Sequence, residues 1–189
     1  MKGRIENQGN FDTLPFRSYI VVGNAGLRMA HAPRNLERMI ELADAVFGAR
    51  NDPSQISVNQ EVIDLLRKLH PSSLSEETTV DGPIAWMLVF PTLRELMEAF
   101  LQKRLTENAL LERTPLGAKY SSVYLCSALV LPEYRQRGIA LRLVTSAVAA
   151  ISRSHPIDSL FYWPFSHEGE ALAKRASEIL GLPLYKRQE

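Results

Sequence analysis

The sequence predicts an α/β (α+β) protein with helices and strands layered around one sheet. Two observations lead to this class. Strand-like apolar runs are interspersed with segments of helical periodicity, and no internal repeat or low-complexity segment interrupts them. The chain has 189 residues and is 46% hydrophobic, which is enough to bury one core. We therefore expect a loose N-terminal tail over residues 1–17 and a single domain over residues 18–189.

The N-terminal half should supply two strands followed by two helices. Short apolar runs predict strands at residues 19–22 and 27–30, separated by a glycine-rich turn. Apolar residues at helical spacing predict a helix over residues 36–47 and another over residues 57–69. Ser57 and Gln60 form a capping-box pattern, which predicts that the second helix begins at Ser57.

A hairpin and a further helix should come next. The pair Asp81-Gly82 predicts a tight turn between a strand at residues 78–80 and a strand at residues 84–90 that is buried on both faces. Thr92 and Glu95 form a second capping-box pattern, and an apolar stripe follows it. We therefore predict one helix from Thr92 to about residue 111, within a helical insertion at about residues 92–113.

The C-terminal half predicts the remaining sheet. Residues 120–131 form a long buried strand that ends at Pro132, and residues 139–151 have a helical apolar stripe. The apolar run at residues 160–165 predicts a further strand. Ser166 is suited to cap a last helix, and Gly181 is suited to end it.

The segment between residues 129 and 144 contains the candidate binding motif. A buried strand stops, a basic turn with one glycine follows, and an apolar helix starts. The first N–H groups of a helix lack partners within it and can bind an anion such as a pyrophosphate. Gly138 leaves room for close approach, and Arg135 and Arg137 add charge. The turn taken alone is equally compatible with solvated arginines before an ordinary helix, but the order of the elements favours the anion site.

At this point the sequence resembles the GNAT (Gcn5-related N-acetyltransferase) superfamily. Residues 130–135 read Val-Leu-Pro-Glu-Tyr-Arg and match V-x-P-x-x-R, and residues 135–140 read Arg-Gln-Arg-Gly-Ile-Ala and match [QR]-x-x-G-x-[GA]. The sequence contains neither G-x-x-x-x-G-K-[ST] nor G-x-G-x-x-G, so other phosphate-binding loops fit less well. The resemblance covers about residues 18–185, and it is close over residues 123–149.

The resemblance implies a GNAT-like fold with helices on both faces of a mixed, mostly antiparallel sheet. This sheet is splayed between the family's fourth and fifth strands, which are residues 120–131 and 160–165 here. It implies acetyl-CoA (coenzyme A) as co-substrate, with an amine of a small molecule or peptide that attacks the thioester directly. The pantetheine arm would pair with strand four, and the amides of the turn would hold the pyrophosphate. The implied cofactor-binding residues are Val130, Leu131, Arg135, Gln136, Arg137, Gly138, Ile139 and Ala140.

The catalytic residues do not follow from the resemblance. The position of the family's usual tyrosine in the last helix is Ser177, and strand four carries no carboxylate. The candidate catalytic residues are Tyr162, Tyr185 and Cys126, although each also reads as a packing residue. A catalytically inactive GNAT-like module that binds acyl-CoA or a partner protein therefore stays open. The helical insertion is expected to pack on the core, to cover the acceptor site or to form a homodimer contact.

Composition and charge narrow the possible partners, the cellular compartment and the kinds of site. A formal net charge of +1 gives no concentrated basic surface, so we expect no nucleic-acid partner. Cys126 is the single cysteine, which suits a reducing compartment, and we expect a cytoplasmic protein. We see no signal peptide and no apolar run long enough to span a bilayer. The histidines have no metal-ligand spacing, so we expect no metal site.

Overall fold

Within the described part of the chain, five strands form one mixed sheet, with the order β1-β2-β3-β4-β5 both along the chain and across the sheet. The computed structural model describes residues 34–47 and 54–188; the predicted tail and the strands predicted at residues 19–22 and 27–30 lie outside the described residues. The strands are β1 Leu74–Thr79, β2 Gly82–Thr92, β3 Ser122–Val130, β4 Ser159–Tyr162 and β5 Leu184–Lys186.

Six α-helices connect and cover these strands in the described part of the chain. They are α1 Arg34–Phe47, α2 Gln60–Leu69, α3 Arg94–Leu101, α4 Glu107–Arg113, α5 Ile139–Ser152 and α6 His167–Leu180. The helix predicted at residues 36–47 is confirmed, as are the helix at 139–151 and the Ser166 cap. The Ser166 Oγ accepts a hydrogen bond from the Gly169 N–H at 3.0 Å.

The sheet is mixed because its connections differ in length. A two-residue turn joins β1 to β2, and these strands pair antiparallel, which confirms the predicted hairpin. β2 and β3 also pair antiparallel. By contrast, α5 connects β3 to β4 and α6 connects β4 to β5, and both pairs are parallel, as helical crossovers require.

Helices lie on both faces of the sheet, as predicted. On one face Leu66, Phe100 and Leu110 of α2, α3 and α4 pack against Tyr124 and Phe161 of β3 and β4. The opposite face is covered by α5 and α6, whose buried apolar residues pack against neighbouring strand positions. These are Val144, Ala147, Val148, Ile151 and Ala176, with Met87, Val89, Val123 and Leu160.

Two predicted helix starts are wrong. Helix α2 is capped by Asn59, whose Oδ1 accepts from the Val62 N–H at 2.9 Å, and not by Ser57. Asparagine caps a helix as well as serine does, and Asn59 stands directly before the apolar stripe. Thr92 belongs to β2, and its hydroxyl bonds the buried Thr114 hydroxyl at 2.8 Å, so it caps nothing.

The single helix predicted from Thr92 to about residue 111 is also wrong. Helix α3 ends at Leu101, and Lys103 has a φ of 60°, which no α-helix accommodates. Thr106 then starts α4, since its hydroxyl oxygen accepts from the Ala109 N–H at 3.1 Å. The sequence pattern stayed apolar across the break because both short helices pack on the same core.

Candidate functional site

A tight turn over residues 132–138, here called the glycine turn, joins β3 to α5. It passes through two residues with positive φ, Gln136 at 61° and Gly138 at 71°. Glycine adopts this conformation freely, whereas glutamine rarely does, and such strained positions cluster at functional sites. Turns of this kind direct successive N–H groups toward a shared concavity that can hold an anion.

The start of α5 leaves backbone donors open. Gly138 precedes α5, and no side chain caps the helix there. The Arg142 N–H donates to the Gly138 carbonyl at 3.0 Å. No residue of the described chain accepts from the N–H groups of Ile139 or Ala140. Gly138 is exposed, as are Gln136 and Arg137 before it. The helix entrance is therefore accessible to a ligand.

The arginines of the glycine turn hold its backbone. The Arg135 Nε donates to the Val130 carbonyl at 3.1 Å, and the Arg137 Nη2 donates to the Glu133 carbonyl at 2.8 Å. The Arg137 guanidinium also lies 5.1 Å above the centre of the Tyr134 ring. Both guanidinium groups remain exposed and keep N–H groups directed to solvent.

Two ion pairs tie the glycine turn to other elements. Arg142 donates from Nη1 to the Arg137 carbonyl at 3.0 Å and pairs through Nη2 with the Glu77 carboxylate of β1 at 2.9 Å. On the other side, Arg38 of α1 pairs with Glu133 at 2.6 Å. The Arg38 hydrogen bond lowers the pKa of the Glu133 carboxyl. These contacts fix the turn relative to α1 and β1.

β3 and β4 separate in the middle of β3, several residues before the glycine turn. Their pairing ends at Leu125 and Tyr162, while β3 continues to Val130. At the same point β3 has a bulge: Leu125 pairs with Val89 and Ser127 with Leu88, so Cys126 has no partner on β2. A bulge bends its strand and increases the local twist. The predicted separation of these two strands thus has a visible cause in the extra residue.

The separation leaves one edge of β3 open. The Leu131 N–H donates to the Ile84 carbonyl at 2.9 Å, so Leu131 and, by alternation, every second residue before it face β2. Ala128 and Val130 therefore direct their backbone groups to the opposite side, where no strand of the described chain lies. This edge leads straight to the glycine turn.

A buried carboxyl group lies where β3 and β4 separate. Glu107 of α4 is 4% exposed, and its Oε1 accepts from the Tyr124 hydroxyl at 2.6 Å and from the Cys126 Sγ at 3.6 Å. Its Oε2 accepts from the Ile56 N–H at 2.8 Å. Burial raises the pKa of Glu107, against the opposing effect of these hydrogen bonds. Helix α4 thus places a carboxyl group beside β3, a strand that carries no carboxylate of its own.

An arginine occupies an aromatic cage beside this carboxyl group. The cage consists of Phe100 and Trp163, whose ring centres lie 4.2 and 4.7 Å from the Arg187 guanidinium carbon. The Arg187 Nη1 donates to the Leu105 carbonyl at 2.9 Å, and its backbone N–H donates to the Tyr162 carbonyl at 3.0 Å. Arg187 is 9% exposed, and burial lowers its pKa.

The three candidate catalytic residues differ from one another in solvent exposure and in their surroundings. Cys126 lies beside Glu107, and burial together with that carboxylate raises the pKa of its thiol well above the usual value, which disfavours a thiolate. Tyr162 is buried in β4, and burial raises the pKa of its hydroxyl. Tyr185 is exposed on β5. Ser177 donates to the Leu182 carbonyl at 2.6 Å and so serves the end of α6.

Tyr162 borders a shallow cavity of about 420 Å³ between α6 and β5. Glu170 pairs there with Lys174 at 2.9 Å and with Lys186 at 3.0 Å, and these lysines lower the pKa of Glu170 to about 2. The charges of this cavity are therefore internally paired. The glycine turn does not contribute to its lining.

Sequence reasoning missed Glu107 and Arg187. Glu107 lies in a segment predicted as the interior of one amphipathic helix, where a glutamate reads as solvated. Arg187 follows the last predicted helix with no pattern around it. The missing signals are the helix break near Lys103, which turns Glu107 inward, and the contacts between distant segments.

Two further features bear on function. Among residues 34–47 and 54–188, no group of three or more His, Cys, Asp or Glu side chains is arranged to hold a metal ion. Within the same ranges, no helix combines the length and the apolar character that crossing a membrane requires.

Comparisons with known proteins give one distant likeness. No protein-family model matches the chain, and neither does any of the curated proteins searched. Among solved structures, the fold is similar to an aminoglycoside acetyltransferase from an uncultured soil metagenomic sample, crystallised in complex with trehalose. The identity is 14%, the match covers 76% of this chain and 78% of that chain, and the TM-score is 0.43. A likeness of this extent assigns neither a family nor a substrate.

Proposed function

We propose that the protein is an N-acyltransferase that uses an acyl-coenzyme A, with acetyl as the expected acyl group. One observation carries this proposal: the uncapped start of α5 and the open edge of β3 meet at the glycine turn. The first feature suits a pyrophosphate, and the second suits an extended chain of amides. Coenzyme A presents these two groups in that order.

The glycine turn fits a pyrophosphate in shape and charge. The N–H groups from Gln136 to Ala140 supply donors, and the helix dipole of α5 adds partial positive charge. A Cβ on Gly138 would meet only the Arg142 Nη1, at 3.8 Å, so the backbone is open to close approach by a ligand. Arg135 and Arg137 can add charged hydrogen bonds from their exposed guanidinium groups.

The open edge of β3 fits the pantetheine arm. Ala128 offers a backbone donor and acceptor, and Val130 offers a donor, since its carbonyl already accepts from the Arg135 Nε. An extended chain can pair with these groups as an added strand would. The Leu131 N–H is already bonded to Ile84, so Leu131 contributes buried packing instead. The acyl thioester would then point toward Cys126, where the strands separate.

The chemistry supplied by the acyl-coenzyme A is a thioester that an amine can attack. The amine nitrogen forms a bond to the carbonyl carbon, the carbon–sulfur bond breaks, and the sulfur leaves with the electron pair and then takes up a proton. Holding the two reactants together can lower the barrier by several kcal/mol. The amine proton passes to solvent, because both oxygens of Glu107, the carboxyl group where β3 and β4 separate, already accept from protein donors.

Calorimetric titration of acetyl-CoA tests the binding site. Gly138→Asp places a carboxylate against the pyrophosphate, so we expect affinity to fall by at least about a hundredfold, equivalent to roughly 2.8 kcal/mol. The matched control is Gly117→Asp, because Gly117 has a similar φ of 75° and open space around it. The control should bind as the wild type does. Equal affinity in all three proteins would reject the site.

Turnover separates the enzyme from an inactive acyl-CoA-binding module. The inactive alternative is favoured by Glu107, whose carboxylate oxygens are both engaged with protein donors. Thiol release is followed with acetyl-CoA and a panel of small-molecule and peptide amines. Amine-dependent release supports the enzyme, whereas binding without release across the panel supports the module.

A further inference from the structure

The cage around Arg187 has the properties of a binding site for an organic cation. Aromatic faces attract ammonium and guanidinium groups, most strongly where water is excluded. Phe100 and Trp163 present their rings to one such group at 4.2 and 4.7 Å, and Phe100 is fully buried. The Glu107 carboxylate interacts electrostatically with the same cation. The Trp163 ring packs in turn on Phe165, which is 37% exposed, so the cage extends to the surface.

Few protein acceptors bind the Arg187 guanidinium group inside this cage. A guanidinium group has five N–H donors in a fixed geometry. Within the described chain, the Leu105 carbonyl is the one acceptor that the Arg187 side chain bonds. None of the Arg187 nitrogens is both buried and without a partner, so the remaining donors reach solvent and the protein holds this guanidinium by a single hydrogen bond. Glu107 does not bond it, since its oxygens bond Tyr124, Cys126 and Ile56.

The cage lies where the reaction of the proposed enzyme would occur. Arg187 is tied through its backbone N–H to Tyr162, the last residue of β4 that pairs with β3. Cys126, at the bulge on the other strand, contacts Glu107. The cage therefore adjoins the end of the open β3 edge that lies farther from the glycine turn.

We propose that the cage of Phe100 and Trp163, with the Glu107 carboxylate, binds a cationic group of the acceptor, and that Arg187 fills this site as an internal competitor until the acceptor displaces it. This inference rests on the proposed function. The caged group must stay protonated to be held, so it is not the attacking amine. The acceptor class is accordingly an amine that bears a second ammonium or guanidinium group.

Arg187→Ala should empty the cage, and ethylguanidinium chloride is the probe. We expect a saturable change in tryptophan fluorescence at low-millimolar ethylguanidinium in Arg187→Ala. The wild type should respond at least about tenfold more weakly, because its own guanidinium group must leave first. Arg175→Ala removes an arginine from the exposed ion pair with Glu178 and is the matched control. Phe100→Leu combined with Arg187→Ala removes one ring of the cage but keeps the Trp163 reporter, and it should lose the response.

An equal response in Arg187→Ala and Arg175→Ala would overturn the proposal. If Arg187→Ala does not fold, Arg187→Gln keeps a donor for the Leu105 carbonyl and is titrated in its place. Failure of both variants to fold would show that Arg187 is a fixed structural part of the cage, which also overturns the proposal.

Acetyl-CoA titration of the same proteins separates this inference from the proposed function. Ethylguanidinium binding without acetyl-CoA binding would retain the cage and reject the acyltransferase. Acetyl-CoA binding without ethylguanidinium binding would do the reverse. If the wild type acetylates a diamine, Arg187→Ala should lower the KM for that diamine with the acetyl-CoA affinity unchanged. An unchanged or raised KM would contradict displacement.

Discussion

The glycine turn and the Glu107 cluster, which comprises Glu107, Tyr124, Cys126 and Arg187, are built in opposite ways. The turn is a contiguous, exposed segment, and its proposed binding groups are backbone amides at the start of α5. The cluster joins side chains from three separate segments, and its polar groups are largely buried. Removing a side chain from the first should affect ligand affinity, and removing one from the second should affect stability.

The largest effect on stability is expected from Glu107→Ala. The change leaves the Tyr124 hydroxyl and the Ile56 N–H without their acceptor and removes the negative charge near Arg187. Loss of one partner in such a buried network should lower the free energy of unfolding by about 3 kcal/mol, measured by urea denaturation. Glu107→Gln keeps an acceptor oxygen and should cost less than half as much.

Glu107 also predicts a dependence of stability on pH. Its pKa is raised in the folded protein, so its contribution to stability is complete below the unfolded pKa and declines as pH rises through the folded value. Glu107→Gln should remove that decline.

The stability prediction for Glu107→Ala has a clear contradicting outcome. If this variant lowered the free energy of unfolding by less than about 1 kcal/mol, the result would contradict the buried network as described.

In contrast to Glu107→Ala, Arg137→Ala should weaken acetyl-CoA binding and leave stability nearly unchanged. The side chain is exposed, so the free energy of unfolding should change by less than about 0.5 kcal/mol. Loss of a charged contact should raise the Kd for acetyl-CoA about tenfold, which corresponds to roughly 1.4 kcal/mol. Arg153→Ala, at the other end of α5, is the control and should leave the Kd unchanged. Equal effects of the two variants would mean that Arg137 adds only nonspecific charge.

A pair of histidines provides a smaller test, because it joins distant segments as the Glu107 cluster does but lies nearer the surface. The His70 Nδ1 accepts from the Ser72 N–H at 3.0 Å, and the His155 Nδ1 accepts from the Tyr120 N–H at 3.5 Å. The two rings lie 6.1 Å apart between centroids. Both contacts require a neutral imidazole, and burial lowers the pKa of both histidines.

The sign of the resulting pH effect follows from these lowered pKa values. The stability contribution is present above the unfolded pKa and is lost as pH falls through the folded values. The urea midpoint of the wild type should therefore decrease from about pH 7.5 to about pH 5.5. His155→Gln should flatten that decrease, whereas His167→Gln, at the exposed start of α6, should leave it intact. Parallel pH profiles in all three would exclude the pair as its source.

The elements that could be predicted from the sequence are those whose causes are local. The Asp81-Gly82 turn, the Ser166 cap and the buried strand before Pro132 each depend on residues within a few positions. The glycine turn belongs to this group, because its strand, proline and helix are consecutive. The positive φ of Gln136 could not be predicted, since glutamine carries no preference for it.

The elements that could not be predicted depend on partners far along the chain. Thr92 reads as a helix cap until Thr114, 22 positions away, takes its hydroxyl. Arg187 bonds the Leu105 carbonyl across 82 positions. No periodicity encodes such pairs, so the carboxylate and the cation where the two strands separate became visible only in the folded chain.

The unpaired Cys126 in β3 has a consequence for engineering. Every other residue from Ser122 to Val130 has a partner on β2, so deleting this one codon would keep all eight partnerships. It would remove the kink that parts β3 from β4 and let the two strands close upon each other. A one-residue deletion should thus yield a folded protein with a continuous, sealed sheet and no entry for an extended ligand.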